Sequence, residues 1–219
     1  DFCLSRGLGD VYKRQIQSLV AEGEHERQDF KFSISDARKI ARSVSVFANT
    51  GGGRLLIGVK DNGELAGVRN EEDIYVVEQA AQRYCRPEVE VEFTAFRVDE
   101  HKIIIRASIP QVAVRPVRCQ EPDGRWRAYT RVADENIVAH PLMVRTWLAD
   151  APVSFSLDST SSALLELLDS NPGGMEVADI AIALGVSQRR AENLIVSLAS
   201  AGVVGFVYRS QKFLIARGE

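Results

Sequence analysis

The spacing of apolar residues predicts an amphipathic helix over residues 36–48. The apolar side chains of one face recur at helical spacing, namely Ile40, Val44, Phe47 and Ala48. Basic side chains occupy the other faces, so one side of the helix is expected to face a core and the other to face solvent. Ser35 or Asp36 is the expected N-cap, and the glycine run 51–53 is the expected stop.

The residues that follow predict strands joined by tight turns. Residues 54–59 form a short apolar, β-branched run, and Asp61-Asn62-Gly63 supplies residues that tolerate positive φ, as a turn into a strand over 65–68 requires. The same patterns predict helices over 71–84 and 141–148 and strands over 89–98, 102–109 and 125–132. Helices mixed with hairpin-linked strands predict an α+β fold class for this first domain, which we place at residues 16–150.

The C-terminal part of the chain has a different pattern. A Ser/Thr-rich stretch predicts a linker over 151–162. Beyond it, the pattern predicts three helices over 163–168, 177–184 and 187–201, with a turn at Gly185, and a hairpin over 203–207 and 212–215. Short helices, a glycine-containing turn and a terminal β-hairpin predict a small winged helix-turn-helix domain over 163–219.

The first fifteen residues do not fit either domain. The segment lacks the apolar stretch of a signal peptide, and its end, Leu8-Gly9-Asp10-Val11-Tyr12-Lys13-Arg14-Gln15, resembles translated sequencing-adapter read-through. We therefore leave residues 1–15 out of the predicted fold, as adapter-derived sequence or, alternatively, a disordered tail. On the first alternative, the natural N-terminus is missing.

Composition narrows the class of protein. The chain has 219 residues, of which 45% are hydrophobic and 26% charged, as in an ordinary globular protein. No apolar run approaches the ~20 residues that span a bilayer. Three widely spaced cysteines argue against a disulfide framework and favour the cytoplasm. Because the net charge is −3, binding to nucleic acid requires a local basic patch.

Four short motifs in a fixed order distinguish the stretch 23–67. Glu24 precedes Asp29-Phe30-Lys31, and the predicted helix then ends in Phe47-Ala48-Asn49-Thr50-Gly51-Gly52-Gly53. The next strand is Leu55-Leu56-Ile57-Gly58-Val59-Lys60-Asp61-Asn62-Gly63. This order resembles the Schlafen AlbA_2 family, whose members carry corresponding Glu-Phe-Lys, Ala-Phe-Ala-Asn-Thr-x-Gly-Gly and Ile-Gly-Val-x-Asp-x-Gly segments. The resemblance implies a mixed sheet with flanking helices and nucleic acid as the partner.

The resemblance also implies a candidate catalytic site. In nuclease-active relatives, corresponding positions carry three carboxylates, here Glu24, Asp29 and Asp61, with Lys31 beside them. Clustered carboxylates bind Mg²⁺ or Mn²⁺, which activates water and neutralises charge on a phosphate. Asp29 replaces the more common glutamate and shortens its reach. The alternative is structural: a solvated acidic segment around Glu24, and a turn that favours Asp61 with or without a metal.

The glycine run 49–53 invites a phosphate-loop interpretation. Glycine amides can bind phosphate, but this run follows a helix and lacks the Gly-Lys-Ser/Thr ending of a Walker loop. We therefore interpret the run as helix termination and expect no ATP site there.

Two basic segments are candidate nucleic-acid contacts. Strand alternation predicts one face carrying Arg125, Arg127, Tyr129 and Arg131, for phosphates and base stacking. Tyr129-Thr130-Arg131-Val132 also matches a Tyr-x-Arg-x segment of the family. The alternative is a solvated strand whose arginines pair with the acidic residues Glu121, Asp123, Asp134 and Glu135.

The third C-terminal helix, capped by Ser187, is the second candidate. It presents Gln188, Arg189, Arg190 and Asn193 for a DNA groove, with Arg209 and Lys212 on the wing. Against DNA binding, residues 151–219 hold five Lys or Arg and seven Asp or Glu, so dimerisation or protein contact is the alternative.

Three functions follow from these observations. The first is a cytoplasmic DNA-binding transcriptional regulator, with DNA favoured over RNA because a nuclease of structured RNA does not need an appended sequence reader. The second is a metal-dependent endoribonuclease that uses Glu24, Asp29 and Asp61, and the third is a non-enzymatic protein-interaction module. Paired winged helices commonly act as dimers, so a homodimer is compatible with the first.

Overall fold

The computed structural model describes residues 2–68, 72–149 and 158–218 of the chain, with side chains from residue 11 onward. The chain divides into two compact units, Asp1–Val138 and Ala139–Glu219. Helices and largely antiparallel strands occur together in it, which confirms the predicted α+β class. Within the described ranges, no helix is long and apolar enough to cross a membrane.

Two sheets and the helices packed on them build the first unit. Its elements in chain order are α1 (Phe2–Ala21), β1 (Gln28–Lys31), α2 (Ala37–Thr50), β2 (Gly53–Ile57), α3 (Glu72–Arg83), β3 (Cys85–Arg86), β4 (Glu92–Arg97), β5 (Ile103–Ile109), β6 (Arg118–Gln120), β7 (Trp126–Val132) and β8 (Glu135–Val138). One sheet has the order β1-β2-β5-β4 and the other β3-β6-β7-β8. β1 pairs with β2 in parallel and the remaining pairs are antiparallel, so the first sheet is mixed, as predicted.

Helix α2 forms as its sequence pattern predicts. Asp36 is the N-cap, and its carboxylate accepts hydrogen bonds from the backbone N–H groups of Arg38 at 2.9 Å and Lys39 at 3.4 Å. The apolar face of the helix is buried, and Val44 and Phe47 are inaccessible to solvent. This face belongs to the main core of the first unit.

Strand β2 is covered on both faces, and its successive side chains, which point in opposite directions, enter two different cores. Leu55 and Ile57 of β2 join the core that contains α2 and α3. Leu56, between them, belongs to a second, smaller core with Ile16 of α1 and Ile104 of β5. The continuous apolar run of β2 is therefore explained by burial on both sides.

Helix α1 changes the interpretation of the first fifteen residues. In the structure, Phe2–Ala21 is one helix, so residues 2–15 are not a disordered tail. Ile16 is fully buried, and the Tyr12 ring meets the Phe96 ring edge-on, with 6.2 Å between centroids. Through Tyr12 and Ile16, the second half of α1 packs against one face of the first sheet.

The predicted hairpin after α2 is shorter than expected. β2 ends at Ile57 because Gly58 has a positive φ of 92°, which interrupts the strand. Beyond it, only a single bridge joins Val59 to Leu65. Gly63 supplies the positive φ of the turn, 81°, and donates a hydrogen bond to the carbonyl of Lys60 at 2.8 Å.

The second unit consists of helices closed by a hairpin. Its elements are α4 (Pro141–Leu148), α5 (Ser159–Asp169), α6 (Val177–Ala183), α7 (Gln188–Ser200), β9 (Val204–Arg209) and β10 (Lys212–Arg217). Its core joins residues from all four helices and the hairpin, including Leu142, Leu164, Ile180, Ile195 and Ile215. Because Leu142 is buried in this core, α4 belongs to the second unit and not, as predicted, to the first domain ending at 150.

The predicted linker over 151–162 is only partly described. Residues 150–157 lie outside the described residues. Ser159 to Ser162, also assigned to the linker, form the first turn of α5. The Asp158 carboxylate is the N-cap and accepts hydrogen bonds from the backbone N–H of Ser161 at 2.7 Å and from its hydroxyl at 2.8 Å. This cap explains why a Ser/Thr-rich segment becomes helical.

Candidate nucleic-acid interface

Three of the four candidate catalytic side chains lie together around β1. The Asp29 carboxylate is 6% exposed and lies 2.7 Å from the Lys31 ammonium. Glu24 accepts a hydrogen bond from the backbone N–H of Phe30 at 2.8 Å. Burial raises the pKa of Glu24, and a hydrogen bond with the Asp29 carboxyl raises it further.

The donor set does not fit a divalent metal. Besides Lys31, the Arg131 guanidinium lies 3.7 Å from the Asp29 carboxylate, so two cations already neutralise that group. Asp61 occupies the exposed turn after β2. Among the residues that the structure describes, no group of three His, Cys, Asp or Glu is placed to hold a metal ion. The predicted three-carboxylate set of Glu24, Asp29 and Asp61 is therefore not assembled.

Replacing Glu24 with glutamine is expected to flatten the pH dependence of stability. Since the folded state raises the pKa of Glu24, it binds this proton more tightly than the unfolded state does. Stability therefore falls as pH rises through the ordinary and then the raised pKa, and Glu24→Gln removes this fall. The effect is modest, because Glu24 is exposed overall.

Urea unfolding between pH 4 and pH 7 measures this effect. The exposed Glu26, changed to glutamine, is the matched control and should keep the wild-type dependence. A Glu24→Gln profile parallel to the wild type would contradict the assignment.

The predicted basic face of β7 does not form a continuous surface. Arg131 is 5% exposed, and its guanidinium donates to the Asn136 side-chain oxygen at 2.6 Å and to the Gln28 carbonyl at 3.4 Å. It also lies over the Phe47 ring, 5.3 Å from the centroid. Arg131 therefore packs inside the first unit, where it pairs with Asp29, and is not available to a phosphate.

Tyr129 is likewise 5% exposed and offers no stacking surface. Its hydroxyl donates a hydrogen bond to the Glu121 carboxylate at 2.8 Å, and the Arg42 guanidinium lies over its ring. Burial, followed by the bond to Glu121, raises the pKa of Tyr129 to about 12. The structure thus covers Tyr129 and Arg131, two of the predicted nucleic-acid contacts, because alternation groups side chains on one face without telling which part of that face is covered.

Arg125, immediately before β7, and Arg127, within it, remain exposed. Arg125 lies 3.7 Å from the Asp123 carboxylate, a pairing that the solvated-strand alternative anticipated. The four residues predicted to act together are thus divided between a solvent-exposed pair and a buried pair.

The glycine run ends α2 and lets the chain pass close to the Phe47 side chain. The N–H groups of Gly51 and Gly52 both donate to the Phe47 carbonyl, at 3.3 and 2.8 Å. A Cβ on Gly53 would lie 2.2 Å from the Phe47 ring. Helix termination, which the sequence pattern predicted, and close packing against Phe47 therefore explain these glycines.

Asn49 is a structural residue that sequence reasoning missed. It is 1% exposed, and its amide donates to the carbonyls of Val117 at 2.9 Å and Tyr129 at 3.0 Å. Its side-chain oxygen accepts from the Val117 N–H at 2.8 Å. The Asn-Thr-Gly motif was the available signal, but its proximity to glycines suggested a loop ligand and not a bond between helix and sheet.

In the second unit, the predicted residues of α7 are exposed together. Ser187 is the N-cap, and its hydroxyl oxygen accepts from the Arg190 N–H at 3.3 Å. The opposite side of the helix is fully buried through Ala191, Ile195 and Leu198. The first turns consequently present one polar surface to solvent, formed by Gln188, Arg189, Arg190 and Asn193.

A depression of about 510 Å³ lies on this surface and includes a residue absent from the sequence-based site. Arg145 of α4 donates to the Asn193 side-chain oxygen at 2.6 Å and lies 3.2 Å from the Glu192 carboxylate. Gln188 donates to the same carboxylate group at 3.2 Å. Sequence spacing gave no indication that α4 packs beside α7, so Arg145 was not a candidate.

The hairpin carries the two remaining predicted residues. Lys212 pairs with Arg209 in the β9–β10 register, across a turn in which Ser210 and Gln211 both have positive φ, 48° and 62°. Arg209 is exposed, whereas the Lys212 ammonium lies 2.7 Å from the Glu176 carboxylate.

Comparison with known proteins identifies the first unit. None of the curated proteins matches the chain. A crystal structure of the DIP2311 protein from Corynebacterium diphtheriae is 18% identical and superposes with a TM-score of 0.45, over 86% of this chain and 34% of its own. The N-terminal domain of a putative ATP-dependent DNA helicase RecG-related protein from Nitrosomonas europaea is 17% identical, with a TM-score of 0.37, over 68% of this chain and 95% of its own.

This chain thus spans about a third of the length of the DIP2311 protein. The family model described as Schlafen, AlbA_2 matches residues 24–140. These residues comprise more than half of the 219 in the sequence and include all four motifs from Glu24 to Gly63. The chain belongs to the Schlafen AlbA_2 family.

Proposed function

We propose that this Schlafen AlbA_2 protein binds nucleic acid and that its second unit is a winged helix-turn-helix that contacts duplex DNA, as in a transcriptional regulator. The observation that carries the proposal is the polar end of α7, with Gln188, Arg189 and Arg190 exposed opposite a fully buried apolar face. In this arrangement, α6 and α7 are the two helices of the motif. Gly185 lies in the turn between them, with a φ of 63°.

The residue types suit a DNA groove. An α-helix fits the major groove, where glutamine can pair with adenine and arginine with guanine. The corresponding groove of A-form RNA is deep and narrow, which favours DNA as the partner. Arg209, at the end of the hairpin, is suited to the adjacent phosphates, whereas Lys212 would have to exchange its pair with Glu176 for a phosphate.

Several carboxylates of the acidic C-terminal region are paired internally, although this pairing leaves the net charge of the region unchanged. Glu192 pairs with Arg145, Glu176 with Lys212, and Asp169 with Arg217 at 2.9 Å. Within the described ranges, by contrast, neither Arg189 nor Arg190 forms an ion pair. Arg189 and Arg190 at the exposed end of α7, and Arg209 on the hairpin, therefore carry positive charge that no ion pair within the described ranges neutralises.

Replacing both Arg189 and Arg190 with glutamine is expected to weaken binding to a random-sequence DNA duplex by at least 10-fold. Each lost phosphate contact should also reduce the slope of log affinity against log salt by about 0.9. Fluorescence anisotropy of the full chain at several salt concentrations measures both quantities.

Arg217→Gln is the matched control, because it removes a charge of the same sign from an exposed residue of the same unit that is paired with Asp169. Equal affinity and salt slope in the double variant and the wild type would exclude α7 as the contact. If the wild type bound no nucleic acid at any salt concentration, the protein-interaction alternative would replace this proposal.

A further inference from the structure

A second basic site lies in the first unit, beside the glycine run that ends α2. It is an open depression of about 440 Å³ whose lining includes three arginines, Arg27, Arg54 and Arg106, and no acidic side chain. We call these three residues and the glycines beside them the arginine depression. None of the three was a predicted site residue, because they are distant in sequence.

The fold brings the three arginines together through strand pairing. Arg54 of β2 pairs with Ser108 of β5, and Arg106, two residues before Ser108, points to the same face of the sheet. The N–H of Arg54 donates to the carbonyl of Arg27 at 2.9 Å. The Arg27 guanidinium also lies against the loop, since a Cβ on Gly51 would be 3.6 Å from its Nη2 atom.

The positive charge of the arginine depression is only partly compensated. Arg54 pairs with Glu22 and donates to the Gln28 side-chain oxygen at 2.6 Å. Arg106, in contrast, donates to the neutral hydroxyl of Thr94 at 3.2 Å, and its buried Nε atom has no hydrogen-bond partner.

Among the described residues, neither Arg27 nor Arg106 forms an ion pair with a carboxylate. Arg27 and Arg106 thus both line one depression without a carboxylate partner, and the Arg106 guanidinium lies over the Phe96 ring, 5.5 Å from its centroid. Such an arrangement favours an anion, and planar guanidinium groups match the oxygens of a phosphate.

We propose that the arginine depression binds a backbone phosphate of a nucleic-acid strand. Its lining is open and contains no aromatic side chain, so it has no surface on which the base of a free nucleotide would stack. A strand that crosses the surface needs only the phosphate contact. This site rests on the proposed binding of nucleic acid, but it lies in the first unit and does not depend on the proposed contact between α7 and DNA.

Titration of the full chain with a 20-nucleotide oligothymidylate tests the proposal, with fluorescence anisotropy as the readout. Arg27→Gln and Arg106→Gln should each weaken binding about three- to ten-fold and lower the salt slope by about 0.7, the value for one single-strand phosphate. The exposed Arg83 of α3, changed to glutamine, is the matched control and should leave both quantities unchanged.

Circular dichroism checks that each variant is folded. If Arg106→Gln is unfolded, Arg27→Gln still tests the proposal, because Arg27 is exposed. Wild-type affinity and salt slope in Arg27→Gln would overturn the proposal, as would an equal loss in Arg83→Gln. Competition by ATP well beyond that of inorganic triphosphate would assign the site to a nucleotide and overturn it as well. The two proposals can fail separately. If the Arg189 and Arg190 double variant binds duplex DNA as the wild type does, while Arg27→Gln still weakens oligothymidylate binding, the arginine depression is supported and the α7 contact is excluded.

Discussion

Replacing Asn49 with alanine is expected to lower the free energy of unfolding of the first unit by about 3–5 kcal/mol. The variant leaves the Val117 N–H and the Tyr129 carbonyl without the partners that Asn49 supplies at 2.8 and 3.0 Å. Each buried polar group left unpaired costs about 1–3 kcal/mol. The Val117 carbonyl is less affected, because the Ser45 hydroxyl also donates to it at 2.8 Å.

Denaturant-dependent hydrogen exchange is the suitable measurement, because it reports on amides of α2, β6 and β7 separately from those of the second unit. Asn62→Ala is the matched control: Asn62 also accepts one backbone hydrogen bond, from Glu64 at 3.0 Å, but it is exposed. Its replacement should cost less than about 1 kcal/mol. Similar losses in the two variants would show that Asn49 does not link helix and sheet as the structure indicates.

Replacing Gly53 with alanine is expected to destabilise the first unit by about 3 kcal/mol or more. The added Cβ would lie 2.2 Å from Cδ1 and 2.6 Å from Cε1 of Phe47. The Phe47 ring is fully buried and has the Arg131 guanidinium over it, so it cannot move without disturbing the buried pair of Arg131 and Asp29. Forcing extra volume into a packed core typically costs about 1–3 kcal/mol, and a clash with a ring held in this way lies at the upper end.

Gly51→Ala is the control from the same glycine run. Its Cβ would have ordinary contacts of 3.6 Å or more with the flexible end of Arg27, so the change should be nearly neutral. Thermal unfolding compares the two variants, and Phe47→Leu provides a second test because a smaller side chain makes room for the new methyl group. The cost of Gly53→Ala should therefore fall in the Phe47→Leu background, and an unchanged cost would contradict the proposed clash.

Local patterns predicted the helices after α1 well, because capping and amphipathicity are encoded within a few residues, whereas α1 was missed. Asp36 caps α2, and α4 spans Pro141–Leu148 as expected. β1 was missed because Gln28-Asp29-Phe30-Lys31 looks polar, and only the fold shows that Gln28 and Asp29 are buried. The position of α4 was also beyond local reasoning, since its pattern indicates a helix but not the core that receives Leu142.

The exposed residues of α7 were predictable, because the periodicity of the helix shows which side chains face the core and which face solvent. One face of α7 is apolar, so Gln188, Arg189 and Arg190 had to lie outside it. Local periodicity did not predict the burial of Arg131. An arginine in a strand is normally solvated, and Arg131 is buried because it pairs with Asp29, about a hundred residues earlier in the chain. The three arginines of the arginine depression meet through strand register, which a single sequence does not specify.

The bonds from α2 to β7 have a consequence for biosynthesis. Asn49 reaches the Tyr129 carbonyl across 80 positions, and the Thr50 hydroxyl accepts from the Arg131 N–H across 81. A nascent chain that has released only α1 to β5 from the ribosome still lacks the partners of these buried polar groups. The first unit therefore cannot reach its final packing until β7 has emerged, and the polar groups of α2 stay without their partners until then.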